Sequence, residues 1–299
     1  MKFFHKHKII SFLLGLLIVI SWAVLFYWPT YFSHFFTKDE QNGPILILDE
    51  IPSAAKMEDE DSGETEKSVE KQKQEYDSEI TTNPIIFGYS VDKKPIEGYI
   101  FGDGEDCLFM FGSIHGNEMG SGKLMNALVD EIKKDPNLVG DDMKVIILPI
   151  SNPDGYYDRI DKANANNVNI NLNFPTKGWS KYSDSSVDNY AGEEPFSEPE
   201  SRVIRDIVNK YKPRRMISFH AKGALVNPEY HTASYNLATW YSNKTGYQLY
   251  NDPSWDFYGT ATKWFVEEAG GDAAITVELT NYSYADWNIN KKALLELIS

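Results

Sequence analysis

Four ionisable side chains stand at or just beyond the ends of short apolar runs. They are His115 and Glu118 in SIHGNE (113–118), His220 in RMISFH (215–220) and Glu278 in AAITVELT (273–280). Two imidazoles and one carboxylate are the donors that the zinc of a hydrolase commonly takes, with a fourth position left for water. His115 and Glu118 are close enough in sequence to hold one ion from a single turn, so His220 must arrive from a neighbouring strand. Glu278 then remains as a carboxylate outside the ligand set, suited to take a proton from metal-bound water. Taken singly, an HxxE pair is a common accident and a strand-end histidine is usually a satisfied polar residue. Recurrence at three strand ends is what carries information.

The elements that must position these groups follow from hydrophobic patterning. IEGYIFG (96–102) and CLFMFGSI (107–114) read as strands joined by a tight turn through Gly102, Asp103 and Gly104. From residue 121, Leu124, Leu128 and Ile132 recur at helical spacing. MKVIILPIS (143–151), RMISFH and AAITVELT read as buried strands, and helices are predicted over about 257–269 and 286–298. SEPE (197–200) has the form of a capping box, with the Ser197 hydroxyl on the amide of Glu200 and its carboxylate reaching back, opening a helix to about Tyr211. Strands alternating with helices predict an α/β layered domain around a central buried sheet. Sites in such sheets gather at the strand ends.

Composition narrows the function. The 299 residues carry a formal net charge of −15, which opposes the basic face that nucleic-acid binding needs. Hydrophobic residues make up 42% of the chain, enough for a sizeable core, and the single cysteine, Cys107, excludes an intrachain disulfide.

Residues 9–28, IISFLLGLLIVISWAVLFYW, are nearly uncharged over about 20 positions, the length of a transmembrane helix. Lys2, Lys6 and Lys8 precede the run, so residues 1–8 are expected on the cytoplasmic side and everything beyond 29 outside. A cleaved signal peptide is the alternative, but the run is long and no A-x-A-like site follows it. Residues 29–79 read as an extracytoplasmic linker. Within it, 56–78 is too polar to bury the surface that folding requires, and is expected to be disordered. The catalytic domain is expected over 80–299.

SIHGNE, NPDGYY, NANNVNINLNFP, FSEPES, ISFHA and ITVELT, in this order, resemble the zinc carboxypeptidase family, the M14 type that includes carboxypeptidase A and bacterial murein-peptide amidases. The resemblance covers about residues 85–290. It implies a three-layer sandwich with a mixed, roughly eight-stranded central sheet. It also implies one zinc ion held by His115, Glu118 and His220, with Glu278 as general base and then general acid.

The chain departs from the family pattern in KANANNVNINLNFP (162–175). Family members resemble R-x-N-A-x-G-V-D-L-N-R-N-F-P there. Lys162 replaces the first arginine and keeps the charge for oxyanion stabilisation without the planar fork. Asn169 replaces an aspartate that accepts a hydrogen bond from the first zinc histidine; its amide oxygen still accepts, with less effect on ligand basicity. Leu172 replaces the arginine that grips a substrate's terminal carboxylate. Either the substrate lacks a free carboxylate there, or Arg159, Lys177, Lys222 or Lys263 grips it, or the domain only binds. Asn171 is retained as a substrate contact, and Tyr258 in WDFYGT is the nearest fit to the family's pocket tyrosine, with Tyr250 a rival. His231 reads as a surface-loop histidine.

The expectation is a membrane-anchored, extracytoplasmic zinc metallopeptidase cutting peptide or amide bonds, with peptidoglycan stem peptides as substrate. Two other readings stand beside it. One is an N-acyl amino acid deacylase of the aspartoacylase or succinylglutamate desuccinylase type. The other is a non-catalytic module that binds cell-wall peptides.

Overall fold

The computed structural model describes residues 83–182, 189–229, 231–250 and 257–299. The expected anchor at 9–28 and linker at 29–79 lie outside the described residues. Among those described, no helix is long and apolar enough to cross a membrane.

Eight strands form one sheet: β1 (Ile85–Tyr89), β2 (Pro95–Phe101), β3 (Asp106–Phe111), β4 (Met143–Leu148), β5 (Arg215–Ala221), β6 (Leu225–Pro228), β7 (Gln248–Leu249) and β8 (Ala273–Leu279). Their spatial order is β1-β2-β4-β3-β5-β8-β6-β7. The centre, β4-β3-β5-β8, is parallel; β1 pairs antiparallel with β2, β2 with β4 and β6 with β8, while β7 pairs parallel with β6. Strands β2 and β3 do not pair with each other, contrary to the reading of a tight turn joining adjacent strands. β4 is inserted between them, because its apolar run MKVIIL is buried along nearly its whole length and needs a partner on both edges.

Among the described residues, five α-helices cover the sheet: α1 (Met119–Lys134), α2 (Pro199–Tyr211), α3 (Thr232–Thr245), α4 (Ala261–Glu267) and α5 (Trp287–Ile298). Strand alternation sorts the core into two layers. Leu108 and Met110 of β3 face a cluster with Leu124, Leu128 and Ile132 of α1, Tyr241 of α3 and Leu294 of α5. Cys107, Phe109 and Phe111 face the opposite cluster, with Ile204 and Ile207 of α2 and Trp264 and Phe265 of α4. The mixed sheet between two helical layers is the architecture the resemblance implied.

Two local expectations are corrected. The helix placed at 257–269 begins at Ala261, where the Thr260 hydroxyl accepts from the Lys263 amide and caps it. The capping box at 197–200 does not form. Glu198 is the residue before the helix, and proline fills the first helical position, so the register is one residue later. Glu200 instead turns inward. It is fully buried, accepting from the Val91 amide (3.2 Å) and from Asn164 Nδ2 (3.0 Å).

Burial pushes the Glu200 carboxyl up to about 7, against a smaller lowering by the Asn164 hydrogen bond. The unfolded chain therefore releases this proton first. Glu200 imposes no penalty below about pH 4.5, and a growing one as pH rises to about 7. Glu200→Gln is expected to remove that slope, gaining about 3 kcal/mol over wild type between pH 5 and pH 8 in denaturant unfolding. Parallel pH profiles for the two proteins would refute this.

Candidate active site

The site lies at the carboxyl ends of the parallel strands. His115 follows β3, His220 is the penultimate residue of β5, and Glu278 is directly opposite His220 on β8. The 113–121 turn that presents His115 and Glu118 is tied by its serines. The Ser113 amide donates to Ser121 Oγ (2.8 Å), and Ser121 Oγ donates to the Glu118 carbonyl (2.7 Å). Gly116 allows a close approach of two chain segments: a Cβ there would come within 2.2 Å of the Gly155 backbone.

Glu118 binds the constellation together. Its Oε1 is 2.8 Å from His115 Nδ1 and its Oε2 is 2.9 Å from His220 Nδ1, and Oε2 also accepts from the Ala221 amide at 3.1 Å. Potential ligand atoms of the three residues all lie within 4.8 Å of one another. Burial opposes ionisation of Glu118, but the charge and hydrogen bonds of the two imidazoles outweigh it and hold the carboxyl well below its ordinary range.

The donor set fits a divalent cation. His115 Nε2 lies 3.0 Å from Asn169 Oδ1, which can only accept, so Nε2 carries the proton and the Nδ1 lone pair is aimed at the carboxylate. Two lone-pair atoms facing each other at 2.8 Å call for a cation or a proton between them. Zinc is matched by two imidazoles and a carboxylate.

Replacing Asn169 tests this orientation directly. Asn169→Ala is expected to weaken zinc binding by roughly 10- to 100-fold, whereas Asn169→Asp is expected to strengthen it. Competition against a chromophoric chelator reads both. Equal affinities across the series would remove Asn169 from the site.

Glu278 stands beside the ligands without joining them. Burial raises its carboxyl to about 7, with the His220 charge pulling down and Glu118 pushing up. That places it where a carboxylate can both accept and return a proton near neutral pH.

These groups open into a cleft of about 310 Å³. Lys162 lines it, its ammonium held by Asn189 Oδ1 at 3.0 Å. Asn171 also lines it, with Oδ1 accepting from the Ala261 amide (3.3 Å) and Nδ2 3.4 Å from His220 Nε2. Leu172 forms an apolar wall. Tyr258 is not brought to the cleft. It packs its ring beneath Gly178 and lies 5.1 Å from the Lys263 ammonium, while Phe257 lines the cleft instead. His231 is exposed at the start of α3 and also lies apart. Among the described lining residues Lys162 is the sole lysine or arginine; Arg159, Lys177, Lys222 and Lys263 are not among them.

Sequence reading missed Asn117, Asn227, Glu229, Thr276 and Tyr282, which also line the cleft. The signal for three of them was available: Asn227, Glu229 and Thr276 alternate with apolar residues along LVNPE and ITVE. Asn117 had another. It sits within SIHGNE, and its side-chain oxygen is buried without a hydrogen-bond partner.

The family model described as zinc carboxypeptidase matches residues 66–295. The chain belongs to the zinc carboxypeptidase family, whose members are zinc-dependent hydrolases. Among individual proteins, it is 27% identical over 123 residues to murein peptide amidase A of Escherichia coli K12, covering 38% of this chain and 49% of that one. It is 28% identical over 140 residues to murein peptide amidase A of Vibrio campbellii, covering 44% and 54%. The chain thus spans about half the length of the curated relatives it matches. In fold it is similar to carboxypeptidase A from Helicoverpa armigera, with TM-score 0.61 and 20% identity over 77% of this chain and 70% of that one. The crystal structure of murein-tripeptide amidase from Escherichia coli O157 gives TM-score 0.57 and 20% identity over 73% and 92%.

Proposed function

We propose that this chain hydrolyses a peptide or amide bond in peptidoglycan stem peptides, held outside the membrane by residues 9–28. The observation that carries the hydrolytic part is the convergence of His115, Glu118 and His220 with Glu278 at one end of the parallel strands. Zinc bound there supplies Lewis acidity, polarising a carbonyl and making water a nucleophile near neutral pH.

The protein's own groups do the rest. Glu118 and the two imidazoles fix the ion, and Asn169 holds His115 in the tautomer that binds it. Glu278 takes the proton from the attacking water and delivers it to the leaving amine. Lys162, steadied by Asn189, offers a positive charge to the oxygen that becomes anionic.

Similarity to murein peptide amidases supports a cell-wall substrate. So does the absence of an arginine from the described cleft lining, since stem peptides present mixed chirality and side-chain amide linkages in place of an ordinary C-terminus. The lysines before residue 9 and the apolar run after them support the outward topology. Digestion of purified muropeptides by the zinc-loaded chain is expected to shorten the stem. Trimming of ordinary L-peptides with muropeptides left intact would overturn the substrate, and protease accessibility of residues beyond 29 in intact cells tests the topology.

A further inference from the structure

We infer that Glu198 is a positioning residue for the hydrolytic reaction, seating the turn whose two flanks carry Lys162 and Asn169. This rests on the hydrolytic reading above, and extends it to a carboxylate that is not among the residues lining the cleft.

The turn is built around Asn164, which is fully buried. Its amide donates to the Val168 carbonyl and its carbonyl accepts from the Asn167 amide, each at 3.0 Å. Its side-chain Oδ1 accepts from the amides of Asn166 and Val168, again at 3.0 Å. Asn167 supplies the left-handed backbone that closes the loop, with φ of 59°, a conformation asparagine tolerates. Residues 164–168 are thereby tied to one side chain. Lys162 lies two residues before this turn and Asn169 directly after it. Whatever seats Asn164 sets the starting point of both.

The seat is Glu198, 4% exposed and placed immediately before α2. Its Oε2 accepts from Asn164 Nδ2 at 2.7 Å and from Asn166 Nδ2 at 2.8 Å, so one oxygen holds two residues of the turn. Its Oε1 accepts from the Ser197 hydroxyl at 2.8 Å. The Glu198 amide donates to Asn173 Oδ1 at 3.1 Å, which fixes the main chain that bears the carboxylate. Glu200 assists, its Oε2 accepting from Asn164 Nδ2 at 3.0 Å. Hydrogen bonds to a carboxylate are roughly twice as strong as those between neutral groups.

The two flanks depend on this seat unequally. The Asn169 amide has its own firm tie, to the Tyr190 carbonyl at 2.8 Å. The Lys162 carbonyl accepts from Asn152 Nδ2 at 3.4 Å, near the limit of a hydrogen bond. Loosening the turn therefore displaces Lys162 more than Asn169. A misplacement of about 1 Å at a catalytic group can cost 10²-fold. Glu198 thus acts on the oxyanion through Lys162, while the metal ligands stay in place.

The test is a double-mutant cycle on the zinc-loaded full chain, with kcat/KM and zinc content measured on each preparation. Glu198→Ala is expected to lower kcat/KM roughly 10- to 100-fold with one zinc retained. Glu198→Gln is expected to recover most of it, because the amide oxygen can face the two asparagines and the amide nitrogen the Ser197 hydroxyl. Asn166→Ala, at an exposed residue, removes one of the two bonds to Oε2 and is expected to cause a smaller loss. On a Lys162→Ala background both alanine changes are expected to add nothing, which a merely structural role would not produce. Wild-type activity in Glu198→Ala, a glutamine variant as poor as alanine, or losses that multiply with Lys162→Ala would each overturn the inference. Should Glu198→Ala fail to fold, the Asn166→Ala cycle decides alone. If no peptide is cut, the hydrolytic reading fails by itself, and affinity for a phosphinic peptide, whose anionic oxygens copy the tetrahedral centre, takes the place of kcat/KM in the same cycle. Weaker binding in Asn166→Ala and Glu198→Ala that vanishes on the Lys162→Ala background upholds the inference, and binding unchanged by either refutes it.

Discussion

Glu278→Gln is expected to lower kcat/KM by roughly 10⁴-fold while the protein keeps one zinc per chain. A carboxamide is nearly isosteric but cannot take a proton from water, and the same side chain is required again to protonate the leaving amine. Loss of both roles falls at the upper end of general acid–base effects, about 5.5 kcal/mol of barrier. The change should leave the fold intact. Burial already disfavours the ionised form of Glu278, so a neutral replacement costs little and thermal unfolding should not shift downward. Metal analysis, a melting curve and steady-state kinetics on one preparation separate these effects. A glutamine variant with more than a tenth of wild-type activity would show that another group moves the proton.

The second large effect is expected from His220→Ala. It deletes one of three donors and strips Glu118 Oε2 of its imidazole partner, leaving that oxygen the bond from the Ala221 amide. A third of a typical zinc binding free energy is about 4 kcal/mol, so zinc affinity is expected to fall roughly 10³-fold. The metal-free variant should also be destabilised by about 1–3 kcal/mol, the usual cost of under-satisfying a buried polar group. Chelator competition measures the first, and denaturant unfolding in chelator the second. A zinc affinity within tenfold of wild type would place the ion elsewhere.

Much of this centre can be read from the chain because its groups sit at the ends of strongly apolar strands. β3, β5 and β8 announce themselves by hydrophobicity, and the ionisable residue that interrupts each run is conspicuous. The parts that resist reading are those where local pattern is weak or tertiary context wins. α3 buries only Ser234, Ala238 and Tyr241 among its fourteen residues, so TASYNLATWYSNKT shows no apolar stripe. β6 and β7 have four and two residues, and pairing with β8 and with each other defines them more than their own composition does. Glu200 fits a helix-capping pattern, yet inward donors at Val91 and Asn164 claim its carboxylate. Tyr258 is the nearest sequence fit to the family's pocket tyrosine, but its ring packs against Gly178 and the neighbouring Phe257 lines the cleft. Membership of the family was legible from the ordered motifs. The pocket residues were not, because their meaning depends on which strands become neighbours.

The direct pairing of His220 with Glu278 across β5 and β8 has a further effect. Their spacing is written into backbone hydrogen bonds that continue along seven paired positions, and no loop has to close to set it. Lys162, Asn169 and Leu172 all lie in the irregular stretch between β4 and α2, outside that lattice. Reactivity and selectivity are thereby inherited from different parts of the chain. Substitutions in the irregular stretch can redirect which molecules are admitted across generations, while the distance between acid–base group and metal ligand stays the same.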